Sequence, residues 1–266
     1  MTNYLCKTCG VTFEASLEPP EHCPICEDER QCVPVTGQAW TTLDEIQASH
    51  RNGFTQLGPN LYSIKTEPKF AIGQQAHLII RPEGNILWDC ITLLDEATIS
   101  KVKELGGIQT IAISHPHYYS SMKLWAETFE AKLYIHEADR KHVVCQSEWL
   151  EFWSGESLEL AGATLINAAG HYDGGTVLHV PELADARGAL LTGDIIQVAS
   201  DPAWVSFMYS YPNMIPLSTR KIRHILKRVE PFLFEKIYGA FGGIVQQKAR
   251  AAVWRSAERY IKAISD

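Results

Sequence analysis

Apolar positions along this chain follow two periods in turn. Between residues 60 and 90 they fall in short runs, "NLYSIKT", "AHLIIRP" and "NILWDC", separated by Gly and Pro turns. These predict strands, with "PEGN" at a hairpin tip. From residue 94 the period lengthens. "LDEATISKVKELGG" places Ile99, Val102 and Leu105 on one helical face, begins near Asp95 and stops at Gly106 and Gly107. "IQTIAI" then predicts a buried strand, "SSMKLWAETFEAK" a helix with Met122, Trp125, Ala126 and Phe129 on one stripe, and "KLYIH" another strand.

The second half returns to strands in "ATLINAA", "GTVLHVP" and "GALLTGD". It closes on two amphipathic patterns. One aligns Ile222, Ile225, Leu226 and Val229; the other aligns Val245, Ala249, Val253, Tyr260 and Ile264. A short helix is expected in "TTLDEIQASH", capped by Thr42 or Asp44. Strands alternating with helices imply a layered α/β domain.

Composition narrows the class. At 266 residues and 45% hydrophobic content the chain can bury a proper core. The start, "MTNYLCKTCG", has neither the basic residues nor the apolar stretch of a signal peptide, so a cytoplasmic location is expected, with no membrane partner. A formal charge of -7 argues against nucleic acid as a partner. The charge is uneven: residues 1–36 hold six acids against two bases, whereas residues 220–262 carry eleven Lys and Arg against three acids. Solvated faces account for both.

Four of the seven cysteines form two Cys-x-x-Cys turns, Cys6 and Cys9, then Cys23 and Cys26 after thirteen intervening residues. Each such turn brings two thiolates to one ion, so two complete a tetrahedral four-sulfur site. Cys32, Cys90 and Cys145 lie outside the pattern and are expected to be small hydrophobes. On "CKTCG" and "CPICE" the segment resembles a zinc ribbon or the rubredoxin-like domain of rubrerythrins. Zinc and iron both accept four thiolates; zinc, as a structural staple, is the expected ion, and iron would imply electron transfer. The expected domains are a metal-binding ribbon at residues 1–36 and a larger domain at residues 37–266.

Potential donors end several of the predicted strands: His115 and His117 after "IQTIAI", His171 in "AAGHYDGG", Asp194 in "LLTGD" and Asp89 in "ILWDC". Three imidazoles and a carboxylate suit zinc or a similar divalent ion. Taken together these stretches resemble the metallo-β-lactamase superfamily. "LIIRPEGNILWDC" is similar to its strand pair ending in an Asp turn, "SHPHYYS" to its His-x-His-x-Asp-His motif, "GHYDGG" to its Gly-His turn, "LLTGD" to its Thr-Gly-Asp and "YGAFGG" to its last loop. The resemblance implies a four-layer αββα sandwich. It also implies that His115, His117 and His171 hold one ion with Asp194, and that Asp89 supports the ligands from behind.

The departures fall on one side of that site. Tyr119 stands for the motif's Asp, Ser120 for its second His, and Ala240 and Phe241 replace the last loop's His, so ligands of a second ion are missing together. One divalent ion, zinc or iron, is therefore expected, with Asp194, Tyr119 and Asp173 as candidate catalytic groups. Tyr119 is a poor base at an ordinary pKa of about 10, and Asp173, two residues past His171, offers a further carboxylate or a turn. The expected function is a metal-dependent hydrolase acting on a small-molecule ester, thioester or lactone. A non-catalytic sensor or interaction protein, and an iron-dependent oxidoreductase, are the alternatives. The aromatic segment "DPAWVSFMYSYPNMIPL" suits a wall or lid over the site, or equally core or homodimer packing.

Overall fold

The computed structural model describes residues 1–265 and divides into two compact units. The first comprises residues 1–135 and 140–152, the second residues 136–139 and 153 onward.

The sheet of the first unit has seven strands in chain order: Arg51–Gly58, Leu61–Glu67, Gln75–Ile79, Ile86–Trp88, Thr110–Ala112, Lys132–His136 and Leu150–Trp153. The first four pair antiparallel, with a hairpin at the expected "PEGN". The next two join parallel because helices intervene. Helix Glu96–Glu104 starts where Asp95 accepts a bond from the Thr98 amide and buries Thr98 and Val102. Helix Met122–Phe129 buries Met122, Trp125 and Ala126. Thr42 caps helix Leu43–Gln47 in a reciprocal box with Glu45.

The hydrophobic pattern passes over strand Arg51–Gly58. It pairs Arg51 opposite Glu67, none of its residues is fully buried, and its register shifts between Gln56 and Gly58.

The sheet of the second unit runs Ser157–Leu160, Ala163–Asn167, Thr176–Val180, Ala189–Leu191, Lys236–Tyr238 and Ile244–Val245. Only the pairing of Ala189–Leu191 with Lys236–Tyr238 is parallel, across the crossover that contains helix Thr219–Val229. That helix buries Ile222, Ile225 and Val229. With Ala252, Val253 and Ala257 of the last helix they join the core around Ile166, Val177 and Phe207. Val245 is a correction to the expected final helix: it sits in a strand, and the helix begins at Ala249, after Lys248 adopts a φ of 53°. No helix among the described residues is long and apolar enough to cross a membrane.

Candidate metal centres

The cysteine centre is built from two tight turns. Cys6 lies in a two-residue strand paired with Trp40–Thr41, and its carbonyl accepts a bond from the Gly10 amide at 2.8 Å. Cys23 caps the short helix Pro24–Glu27, which carries Cys26, and its amide donates to Gln38 Oε1 at 2.8 Å. All four residues are at most 1% exposed.

The Cys6–Cys26 and Cys9–Cys23 sulfur pairs are 3.6 Å apart, and the four sulfurs lie within 4.8 Å of one another. A disulfide would need about 2.05 Å, whereas a tetrahedron of metal–sulfur bonds about 2.3 Å long has edges of about 3.8 Å. The residues therefore fit an ion. The sulfurs also perturb one another's acidities. Bonds from Cys23, then Cys26 and Cys9, hold the Cys6 thiol far below its ordinary value. Cys23 also heads the causes that push Cys9 and Cys26 up. Deprotonated together, four sulfurs at this spacing would need a central cation. Of the other cysteines, Cys90 and Cys145 are buried and Cys32 is exposed.

The second centre draws on loops that follow strands. Beyond strand Thr110–Ala112 the chain extends through Ser114 and His115 into a single turn, Pro116–Tyr118, carrying His117. Asp89, at φ 63°, places Oδ1 2.7 Å from the Ser114 amide, which donates to it. Ser114 Oγ lies 2.9 Å from His115 Nδ1. The His115 and His117 rings meet edge to face, with centroids 4.9 Å apart.

His171 and Asp194 follow strands Ala163–Asn167 and Ala189–Leu191. His171 Nδ1 is 3.1 Å from the Met208 carbonyl, so that nitrogen is the donor and Nε2 is the one that can serve as a ligand. Nε2 stands 3.9 Å from Asp194 Oδ1. A tetrahedral zinc ion with bonds of about 2.0–2.2 Å has donor pairs about 3.3–3.6 Å apart, so this pair is a few tenths of an ångström wider than a filled site would be. Tyr211 donates its hydroxyl to the Asp194 carbonyl at 2.9 Å. Burial first, and the Asp194 charge second, push that phenol well above its ordinary value and keep it a donor.

Potential ligand atoms of His115, His117, His171 and Asp194 lie within 4.8 Å of one another, and every one of these residues is buried. Both the four-cysteine group and the group of three histidines and an aspartate could hold a metal ion.

Asp173 is an exposed turn residue whose carboxylate stands 3.5 Å from Lys221 Nζ. Tyr119 and Ser120 are buried and line a cavity of about 460 Å³ in the first unit, with Thr12, Leu43 and Cys145 among its other walls. Ala240 is buried and Phe241 exposed. Of the aromatic segment, Phe207 is fully buried core, and Trp204 carries the Arg259 guanidinium 3.6 Å from its ring centre. The supports that sequence reasoning missed are backbone groups and amides, such as the Met208 carbonyl and Gln74, together with the Tyr211 hydroxyl.

No family model matches the chain. The "Uncharacterized protein YmaE" of Bacillus subtilis strain 168 is 51% identical over 268 residues, spanning all of this chain and 98% of that protein. Solved structures share the fold at low identity. VMB-1 superposes with a TM-score of 0.60 at 14% identity, covering 81% of this chain and 99% of its own. The DIM-1 metallo-β-lactamase gives 0.59 at 12%, covering 80% and 98%. The mono-zinc form of the metallo-β-lactamase FIM-1 from Pseudomonas aeruginosa gives 0.56 at 14%, covering 78% and 95%. The chain thus has the metallo-β-lactamase fold, with a small four-cysteine module at its start.

Proposed function

The chain belongs to the same protein family as YmaE of Bacillus subtilis, and on that premise, with its metallo-β-lactamase fold, we propose that it is a metal-dependent hydrolase. It uses one divalent ion, zinc or iron, against an ester, thioester or lactone carbonyl of a small molecule. The observation that carries this reading is the donor set of three imidazoles and one carboxylate, buried and within 4.8 Å of one another. Against the metallo-β-lactamase superfamily's motifs, Tyr119, Ser120, Ala240 and Phe241 fall at the sequence positions of a second ion's ligands. The mono-zinc form of FIM-1 supports the single-ion reading by analogy.

An ion held there would polarise a carbonyl and make water nucleophilic near neutral pH. The chain's own work is orientation and proton handling. Asp89 fixes the Ser114 amide, and the Ser114 hydroxyl fixes His115 at Nδ1. The Met208 carbonyl sets the His171 tautomer. Asp194 supplies the group's carboxylate and is the proton acceptor, while Tyr211 steadies its backbone. No role is assigned to Asp173, an exposed turn residue whose carboxylate stands 3.5 Å from Lys221 Nζ.

Wild-type protein is expected to carry one ion at the cysteines and one at the histidines, with the second missing from His115→Ala. Unchanged metal content in that variant would falsify the histidine site. A panel of activated esters, thioesters and lactones should be hydrolysed by wild type and spared by His117→Ala; turnover surviving in the variant leaves a non-catalytic metal protein.

A further inference from the structure

Gln74 precedes strand Gln75–Ile79, is 5% exposed, and uses one amide nitrogen twice. Nε2 donates to the Cys9 carbonyl at 2.7 Å and to the His117 carbonyl at 3.0 Å. Cys9 belongs to the four-cysteine group and His117 to the histidine group. A primary amide has two N–H bonds, so both are committed here, and neither carbonyl can move without stranding a buried donor.

The surrounding chain repeats the connection. The Thr12 amide donates to the Ser120 carbonyl at 2.9 Å, and the Thr12 and Ser121 hydroxyls meet at 2.9 Å. Lys123 Nζ lies 3.1 Å from Glu14. The segment that follows Cys9 is thus stitched along the segment that follows His117. On the other side of the turn, Thr92 Oγ1 donates to the Gly10 carbonyl at 3.0 Å.

We infer that Gln74 is a positioning residue that couples the two centres: an ion at the cysteines fixes the Cys9 carbonyl, Gln74 transmits that constraint, and the His117 backbone is held where its ring can act as a ligand. The four-cysteine module then serves the histidine centre as part of its framework. Because a module this short has little core of its own, its conformation depends on its ion. Removing that ion releases the Cys9 carbonyl, and Gln74 loses half its anchorage. Coupling of this kind is reciprocal, so filling the histidine centre also tightens the cysteines' hold on their ion. The inference rests on the proposed histidine site holding metal.

The test is zinc binding to full-length protein, read by competition with a chromophoric chelator and by metal analysis of each centre. Gln74→Met preserves length and removes both donors. It is expected to keep its cysteine-bound ion while affinity at the histidines falls about 10- to 100-fold, the usual effect of losing a group that orients a ligand. Thr92→Val, which removes a comparable bond at Gly10 without touching His117, is expected to leave histidine affinity unchanged. Equal losses in both variants, or none in Gln74→Met, overturn the coupling. Cys26→Ser tests it without altering Gln74. Loss of the cysteine ion should weaken the histidine centre and speed hydrogen exchange at the amides of residues 114–121. Unaltered affinity and exchange there refute the inference, whatever happens to Gln74→Met. Wild type binding no second ion would defeat the hydrolase reading and the coupling together, whereas normal wild-type binding with unaffected variants defeats the coupling alone.

Discussion

Asp89 holds the chain just before the first histidine, and its replacement separates two energies that act at one position. The carboxylate accepts the Ser114 amide at 2.7 Å, and Ser114 is fully buried. Its backbone sits at φ 63°, a region that Asp and Asn enter more readily than other side chains. Asp89→Ala strands a buried N–H, at about 1–3 kcal/mol, and leaves a side chain without local polar support in left-handed backbone, at about 1–2 kcal/mol. The sum is about 2–5 kcal/mol. Asp89→Gly relieves the backbone and loses only the bond, about 1–3 kcal/mol. Asp89→Asn keeps an acceptor and tolerates the backbone, so its cost is that of exchanging a charged for a neutral acceptor, about 1 kcal/mol. Urea midpoints at a common m-value should therefore rank wild type, Asn, Gly, Ala. Zinc affinity at the histidines should follow the bond, surviving in Asn and falling in Gly and Ala. An Asn variant as unstable as Ala would refute the role of the Ser114 bond, and a Gly variant below Ala would refute the strain.

Three further expectations concern other parts of the chain. Burial lowers His77 to about 4, against about 6.5 in an unfolded chain, so the unfolded state takes up the proton first. The stability that depends on a neutral His77 is whole above pH 6.5 and drains away, by about 3 kcal/mol, as pH falls towards 4; His77→Gln should flatten that limb of the urea-midpoint profile, and an unchanged slope argues against it. Gly10→Ala would set a Cβ 2.3 Å from Thr92 Oγ1 at φ 82°, so it should weaken the cysteine centre's zinc affinity. Adding Thr92→Ala relieves the clash and not the backbone, and full recovery in the double variant would count against the φ requirement. Phe207→Ala, emptying a fully buried site edge-on to Tyr260, should cost about 3–5 kcal/mol in thermal or urea unfolding; a loss under about 1 kcal/mol would mean the core refills.

What can be read from the sequence is what side chains declare. The strands "ATLIN" and "TVLHV" are buried at every position, and continuous apolar runs announce them. The cysteine and histidine donors are legible because ligand chemistry depends on residue type. Their supports are not: the Met208 carbonyl that orients His171 is backbone, and any residue there would offer one. Gln74 is a single polar residue ahead of an apolar strand, and its two acceptors lie 65 and 43 positions away along the chain. Val245 reads as part of the last helix because its spacing from Ala249 fits that period, while nothing in the residues announces the φ of 53° at Lys248. Strands Leu150–Trp153 and Ser157–Leu160, each with one buried residue, carry too faint an alternation to read.

Strand Arg51–Gly58 is concealed for a related reason, with a consequence for how the protein behaves in a crowded solution. It forms one rim of the seven-strand sheet, where unpaired N–H and C=O groups would template the strand of any passing chain. Its two glycines, its polar face and the irregularity between Gln56 and Gly58 make that rim a poor template. The weak hydrophobic signal that conceals the strand also protects the sheet from growing by edge-to-edge addition, so colloidal stability and sequence legibility oppose each other in the same eight residues.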